Sequence, residues 1–255
     1  MKAFGIFYVI ICIPAMVASL PQMSWNTEWA KDNDQVKLQN TTDNNLPTKY
    51  ALLLFNGFQA LDVFGPMDIL NTLSINHTLE LSILSTDLNP VSTKIEGVFS
   101  VGQSIVPTHT LEDAPDDIEV LLVPGGRGSL NTERTQVDID FIKSTFPKLR
   151  YFLTVCTGSI LAARAGVLDS KNATSNKLNF DFAITQGPRV NWIRHARWVN
   201  DGNIWTSSGV SAGIDMMYAY VTELYGENVA AYIAKDMEYV RNTDASNDPF
   251  AGDSA

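Results

Sequence analysis

Apolar runs and segments of helical periodicity alternate along the middle of the chain. The apolar runs predict buried strands at residues 49–55, 79–85, 95–101, 119–123 and 151–155. One helical pattern begins at Pro66, and five more cover residues 138–146, 159–167, 178–186, 214–225 and 228–240. Two further strands are predicted on either side of a turn at residues 201–202. Because strands buried on both faces are apolar throughout, the pattern predicts an α/β fold around a mainly parallel sheet.

The first 46 residues do not share this alternation. A basic start, an apolar run from Ala3 to Ala18 and small residues after it are typical of a signal peptide over residues 1–19. The run is shorter than the roughly 20 residues that span a membrane, although an uncleaved anchor helix is the alternative. Residues 20–46 are polar and predict a disordered leader. We therefore expect a protein that is secreted or luminal in the secretory pathway.

Polar composition returns at the end of the chain, where residues 242–255 predict a flexible acidic tail. One domain over residues 47–241 remains, which is long enough for a full core. Triplets of the form N-x-T begin at Asn40, Asn76 and Asn172 and are candidate glycosylation sites.

Charge and cysteine content narrow the possible partners and chemistry. The formal net charge of -10 disfavours nucleic acid as a partner, since nucleic-acid binding needs a basic face. After removal of the signal, no segment is expected to bind the membrane. Cys12 lies in the predicted signal peptide, so the mature chain would hold Cys156 alone, with neither a disulfide within the chain nor a cysteine-based metal site.

Cys156 lies between a predicted strand and a predicted helix of small residues. Thr154 precedes it by two positions and Gly158 follows it by two, which is the spacing of a nucleophile elbow. A helix N-terminus that points at the sulfur favours the thiolate, so we expect the pKa of Cys156 to lie below the usual value of about 8.5. An inert, buried cysteine is the alternative.

Three loops that follow apolar strands are expected to meet at one site. Asp62, the Gly125–Gly126 pair and Cys156 each lie beyond the carboxyl end of such a strand, which is where parallel sheets bind ligands. The alternatives are that Asp62 only caps the helix at Pro66 and that the two glycines only form a turn.

The motifs LFNGFQALDVFGPMDIL, LLVPGG, FLTVCTGSILAARAGVLDSKNATSNK and TSSGVSAGID resemble the ThiJ/PfpI superfamily, in its isonitrile hydratase-like branch. The resemblance covers about residues 50–239. It implies a flavodoxin-like three-layer sandwich and a homodimer.

The resemblance also assigns residue roles. Cys156 matches the nucleophile and Asp62 matches the acid that contacts it. Thr157 stands where protease-like and deglycase relatives commonly have His, and Asn176 stands where the hydratases have the His of A-T-T-H. The three histidines of this chain lie in unrelated segments, at positions 77, 109 and 195.

The resulting hypothesis is a hydratase that acts on a small electrophile such as an isonitrile. Cys156 would attack and Asp62 would transfer protons, with no metal or organic cofactor. Oxyanion or substrate contacts are expected from Gly125, Gly126, Thr157 and Asn176. The alternatives are an enzyme of 2-oxoaldehyde or specialised metabolism and a non-catalytic module that senses oxidants through its thiol. Asp215 is interpreted as structural.

Overall fold

A computed structural model gives the structure of residues 45–95, 97–98 and 100–252, all of which belong to one compact unit. The strands are β1 (Lys49–Leu53), β2 (Glu80–Ser85), β3 (Val91–Ser92), β4 (Ser104–Ile105), β5 (His109–Thr110), β6 (Val120–Val123), β7 (Tyr151–Thr154), β8 (Asn172–Ala173), β9 (Asn191–Trp192), β10 (Trp198–Asp201) and β11 (Ile204–Ser207). The α-helices are α1 (Ala60–Leu73), α2 (Gln136–Thr145), α3 (Gly158–Arg164), α4 (Phe180–Gln186), α5 (Ser211–Tyr225) and α6 (Glu227–Asp236). The predicted signal peptide, nearly all of the predicted leader and the Asn40 triplet lie outside the described residues.

A seven-stranded sheet in the order β10-β11-β7-β6-β1-β2-β5 forms the centre of the fold. The pair β10–β11 is antiparallel and the other neighbours are parallel. The three middle strands, β7, β6 and β1, are almost entirely buried, as strands covered on both faces must be. Helices α1, α5 and α6 pack together in one layer, and α2, α3 and α4 pack in another. The predicted mainly parallel α/β sandwich is confirmed.

Helix α1 begins at Ala60 rather than at Pro66, so the predicted start was wrong. Pro66 lies inside the helix, where it has no N–H to donate to the carbonyl oxygen of Asp62. Next to Pro66, a Cβ on Gly65 would lie 2.6 Å from Ile214 Cγ1. The glycine thus lets α1 approach α5 closely, and the earlier start places Asp62 in the first helical turn.

The predicted strand over residues 95–101 is also wrong. The residues described there form a turn and bend, and the short strands β3 and β4 pair in antiparallel register on either side of it. The apolar positions of this segment include Val98 and Val101, which are exposed. An apolar run of this length does not distinguish a buried strand from a loop.

Residues 242–252 pack against the domain, beyond the predicted boundary at residue 241. The backbone N–H of Arg197 donates to the carbonyl of Ala245 at 2.7 Å, and Lys177 forms a buried ion pair with Asp248 at 3.3 Å. Ala251 is buried as well. Within residues 45–252, no helix is long and apolar enough to cross a membrane.

Candidate active site

The carboxyl ends of the central strands carry the candidate site. Thr154 of β7 is aligned with Val123 of β6 and with Thr206 of β11. Gly125 and Cys156 each lie two residues beyond the end of their strand. The strand register therefore brings these two loops to the same edge of the sheet, as the sequence predicted.

Cys156 adopts a left-handed backbone conformation, with φ at 58°, in the sharp turn between β7 and α3. Its N–H donates to the carbonyls of Ser207 at 3.2 Å and Ser208 at 3.1 Å. Its own carbonyl accepts the hydroxyls of Ser159 at 3.0 Å and Ser175 at 3.2 Å. A strained conformation at a non-glycine residue persists only where neighbours hold it in this way. The geometry is that of a nucleophile elbow.

Two glycines make room for this turn. A Cβ on Gly158 would lie 2.3 Å from the carbonyl oxygen of Val123, and one on Gly125 would lie 2.5 Å from the amide nitrogen of Thr157. Any larger residue at either position would push the turn off the sheet. The small-residue spacing around Cys156 thus has a steric cause.

Asp62 is fully buried beside this turn. Its Oδ2 accepts the N–H of Gly125 at 3.0 Å, whereas its Oδ1 has no hydrogen-bond partner of normal geometry among the described residues. Gln59, not Asp62, occupies the N-cap position of α1, so the capping alternative does not hold. Burial raises the pKa of Asp62 to about 7, and the Gly125 amide, the Cys156 thiol and the Val210 amide offset part of this rise.

The thiol of Cys156 is only 7% exposed, and its pKa is raised rather than lowered. Burial is the main cause and the charge of Asp62 is the second, while the amide and hydroxyl of Thr157 and the amide of Val210 oppose them. The predicted pKa below about 8.5 is therefore wrong, because desolvation outweighs the dipole of a short helix. Asp62 and Cys156 form a coupled pair in which the carboxyl group loses its proton first.

Gly126 and Thr157 form a second contact across the site. The N–H of Gly126 donates to Thr157 Oγ1 at 2.9 Å, and the hydroxyl of Ser129 donates to the same oxygen at 2.7 Å. The amides of Gly125 and Gly126, which we expected to hold developing negative charge, are thus bound to Asp62 and Thr157. The amides that face the sulfur are those of Thr157 and Val210.

Val210 was not identified from the sequence. It precedes α5 with φ at 41° and ψ at −89°, a conformation that β-branched residues rarely adopt. Its amide acts on both the Asp62 carboxyl and the Cys156 thiol. The GVSAG stretch marks a tight turn, but only the fold shows that this turn faces Cys156.

A model of the DJ-1/PfpI family matches residues 48–223, well over half of the chain. The chain belongs to the DJ-1/PfpI family.

Proteins named for different activities are similar to this chain. An isonitrile hydratase of Pseudomonas putida is 35% identical over 189 residues, which cover 74% of this chain and 77% of that protein. A deglycase of Pyrococcus abyssi is 31% identical over 109 residues, covering 43% of this chain and 61% of the deglycase. A crystal structure of a ThiJ/PfpI family protein from Pseudomonas syringae superposes with a TM-score of 0.66 at 25% identity, covering 89% of this chain and 84% of that one.

Asn176, which the resemblance placed where the hydratases have His, packs next to the turn that carries Val210. Its Oδ1 accepts the backbone N–H of Asn179 at 3.2 Å and the side-chain amide of the same residue at 2.8 Å. Its Nδ2 packs on Gly209, where a Cβ would lie only 2.7 Å away. Asn176 therefore touches the turn that carries Val210, and its side-chain oxygen is already engaged.

Two of the three histidines have their contacts outside the site. The ring of His77 packs against Tyr225 with centroids 4.9 Å apart, and His109 contacts the Thr108 hydroxyl at 2.8 Å. No histidine contributes to the pKa of Cys156. In the part of the chain that the structure describes, no group of His, Cys, Asp and Glu side chains could hold a metal ion. The chemistry available at this site is that of a thiol and a carboxyl group that share protons.

Proposed function

We propose that the protein is a cysteine-dependent hydratase that adds water to an isonitrile or a similar small electrophile. The observation that carries the proposal is the contact between the Asp62 carboxyl, with its pKa near 7, and the Cys156 thiol on the strained turn. A carboxyl group with a pKa near the working pH can both accept and return a proton. The 35% identity to an isonitrile hydratase supports this substrate class.

The first half of the reaction forms a covalent intermediate. As Cys156 Sγ bonds to the terminal carbon of the isonitrile, the thiol proton moves to the Asp62 carboxylate. The carbon then carries the electron pair, and Asp62 returns the proton to it. The product is a thioimidate, R–N=CH–S–Cys156, with Asp62 ionised again. The amides of Thr157 and Val210 stabilise negative charge on the sulfur as the proton leaves.

The second half of the reaction consumes water. Asp62 takes a proton from water as the oxygen bonds to the thioimidate carbon, and passes it to the nitrogen. The carbon–sulfur bond then breaks, the carbonyl forms and the hydroxyl proton returns to the sulfur. The sum is one isonitrile and one water converted to one N-substituted formamide, with both side chains restored.

The test uses the purified full chain with cyclohexyl isonitrile, and measures N-cyclohexylformamide by chromatography and mass spectrometry. We expect turnover by the wild type, no turnover by Cys156→Ala, and a mass increase of one substrate on Cys156 during the reaction. Asp236→Asn, which changes an exposed carboxylate at the end of α6, serves as a control that leaves the reacting groups and their hydrogen-bond partners in place. Formamide production by Cys156→Ala at the wild-type rate would overturn the proposal.

A parallel assay with methylglyoxal separates this function from 2-oxoaldehyde chemistry, because a deglycase is among the relatives. Methylglyoxal consumption without isonitrile turnover would reassign the site to that chemistry. Oxidation of Cys156 by dilute peroxide, with neither substrate consumed, would support a redox-sensing module.

Secretion is a separate proposal that rests on the predicted signal peptide at residues 1–19. Asn76 and Asn172 are both exposed, so a glycan at either position would not disturb the core. Mass spectrometry of the culture medium should detect a chain that begins near residue 20, and treatment with a glycosidase should lower its mass. A homodimer, which the family resemblance implies, should be detected by light scattering.

A further inference from the structure

A second pocket lies outside the Cys156 site, at the carboxyl ends of β1, β2 and β6. Its volume is about 520 Å³, which is in the range of small-molecule sites. Strand β1 lies between β2 and β6 in the sheet. The chain runs from β1 to β2 on one side of β1 and later continues with β6 on its other side. This change of direction creates a crevice where sheets of this type bind ligands.

Backbone contacts separate this pocket from Cys156. The N–H of Gly128 donates to the carbonyl of Gly57 at 3.0 Å, and a Cβ on Gly126 would lie 2.4 Å from the same carbonyl oxygen. The loop that follows β1 thus touches the loop that follows β6. This contact separates the pocket, which Asn56 and Arg127 line, from the Asp62–Cys156 pair. Neither Cys156 nor Asp62 lines the pocket.

Asp138 is the acidic residue among those that line this pocket, and it is buried. It lies in the first turn of α2, is only 1% exposed, and its Oδ1 has no hydrogen-bond partner among the described residues. An unsatisfied carboxyl oxygen on a cavity wall is costly, and a ligand hydroxyl would satisfy it. A hydroxyl suits both protonation states, since it donates to a carboxylate and accepts from a carboxylic acid.

Three exposed cationic side chains line the pocket together with apolar and neutral polar side chains. Lys94, Arg127 and Arg134 contribute positive charge, and Phe55 and Leu130 are among the apolar lining residues. Cationic side chains at the rim favour an anion, and the apolar wall favours a hydrocarbon body between that anion and Asp138. In an acidic protein with a net charge of -10, this cluster of three cations is a local exception.

We propose that this pocket binds a small organic acid with an apolar body and a hydroxyl group, the carboxylate at Lys94 and Arg134 and the hydroxyl at Asp138 Oδ1. This site goes beyond the proposed hydratase function and does not depend on it. The Cys156 site and this pocket share the loop between Gly57 and Gly128 but use different side chains.

Calorimetric titration of the full chain with 4-hydroxyphenylacetate tests the proposal. Phenylacetate lacks the hydroxyl and 4-hydroxyphenylethanol lacks the carboxylate, so each is a matched probe for one end of the pocket. We expect 4-hydroxyphenylacetate to bind with roughly millimolar or better affinity and more tightly than either analogue. If millimolar 4-hydroxyphenylacetate gave no detectable binding, the proposal would be overturned.

Variants then locate the bound acid. Asp138→Leu should weaken 4-hydroxyphenylacetate by about tenfold and leave phenylacetate unchanged, whereas Arg134→Ala should weaken both acids and spare the alcohol. Leu130→Trp, which fills the pocket and leaves Asp138 unchanged, should abolish binding. This variant tests the proposal even if Asp138→Leu fails to fold. Cys156→Ala should bind as the wild type does. Binding that survives Leu130→Trp, or that is lost in Cys156→Ala, would contradict the assignment.

Discussion

Asp62 and Asp215 are both buried carboxyl groups, on two helices that pack against each other, yet their surroundings are opposite. Asp215 is 1% exposed and accepts Arg197 Nε at 2.8 Å, the Tyr239 hydroxyl at 3.0 Å and the N–H of Asn242 at 2.9 Å. Asp62 accepts one N–H at normal hydrogen-bond geometry, that of Gly125, and no cation is among the described groups that shift its pKa.

The difference separates an anchor from a reactive group. A buried carboxylate that accepts hydrogen bonds from a guanidinium and two further donors ties α5 to the C-terminal segment that follows α6. A buried carboxyl group with one donor and a neighbouring thiol exchanges its proton near neutral pH. The predictions below test this contrast, beginning with the largest expected effect.

Asp62→Asn should lower kcat/KM for the isonitrile about 1000-fold, because the amide cannot take or return a proton. The fold should be retained, since Asn keeps the shape and the bond to Gly125. Formamide production by the variant and the wild type, measured at the same pH, checks this. A variant with more than a tenth of wild-type activity would exclude Asp62 as the proton carrier.

Asp215→Asn should lower the free energy of unfolding by about 3 kcal/mol, because it leaves the buried guanidinium of Arg197 without its counter-charge. Urea unfolding monitored by circular dichroism measures the loss. Asp236→Asn, which changes an exposed carboxylate at the end of α6, is the matched control and should change stability little. Equal stability of the two variants would show that the Arg197 pair is not an anchor.

Stability should fall between pH 5 and pH 8 by about 2 kcal/mol for each buried carboxyl group whose pKa is raised. Asp62 and Asp138 both have a pKa raised to about 7 by burial, well above the usual value of about 3.9 in an unfolded chain. The unfolded state therefore loses these protons first as pH rises, which favours unfolding. Asp62→Asn and Asp138→Asn should each remove part of this pH dependence, whereas Asp236→Asn should not. Identical unfolding curves at the two pH values would contradict both pKa shifts.

Alkylation of Cys156 by iodoacetamide should keep accelerating above pH 8.5, because burial and the charge of Asp62 raise the pKa of the thiol. In Asp62→Asn the charge is gone, and the inflection should move down by about one pH unit. Rates are measured by mass spectrometry of the modified peptide. If the alkylation rate of the wild type showed its inflection below pH 8, the pKa of Cys156 would be lowered, as expected from the helix dipole.

Asn176→His should produce the smallest effect, a change of about threefold in the ratio of kcat/KM between small and bulky isonitriles. The ring would press on Gly209 and so on the turn that presents the Val210 amide, and it would fill the pocket edge. Competition between methyl and cyclohexyl isonitrile measures the ratio. An unchanged ratio would place Asn176 outside the substrate pocket.

Local patterns in the sequence were sufficient to predict the fold and the meeting of the Gly125 and Cys156 loops at one edge of the sheet. The apolar runs of β1, β6 and β7 are long enough to predict buried parallel strands. The spacing of Thr154, Cys156 and Gly158 predicts the elbow, although the backbone that crowds Gly158 is that of Val123, on the neighbouring strand β6. The wrong predictions concern the start of α1 and residues 95–101. In both segments, packing against residues distant in sequence determines the secondary structure.

Tertiary structure alone decided the electrostatics. The Gly125 amide that binds Asp62 is 63 residues away in the chain, and the Cys156 turn is held by the carbonyls of Ser207 and Ser208. Burial and such long-range neighbours set the pKa of Asp62 and reverse the direction expected for the pKa of Cys156. Among the described residues, they also leave Asp138 Oδ1 without a hydrogen-bond partner. Sequence determines which groups are present, but the loss of water around them, which dominates their ionisation, exists only once the chain is folded.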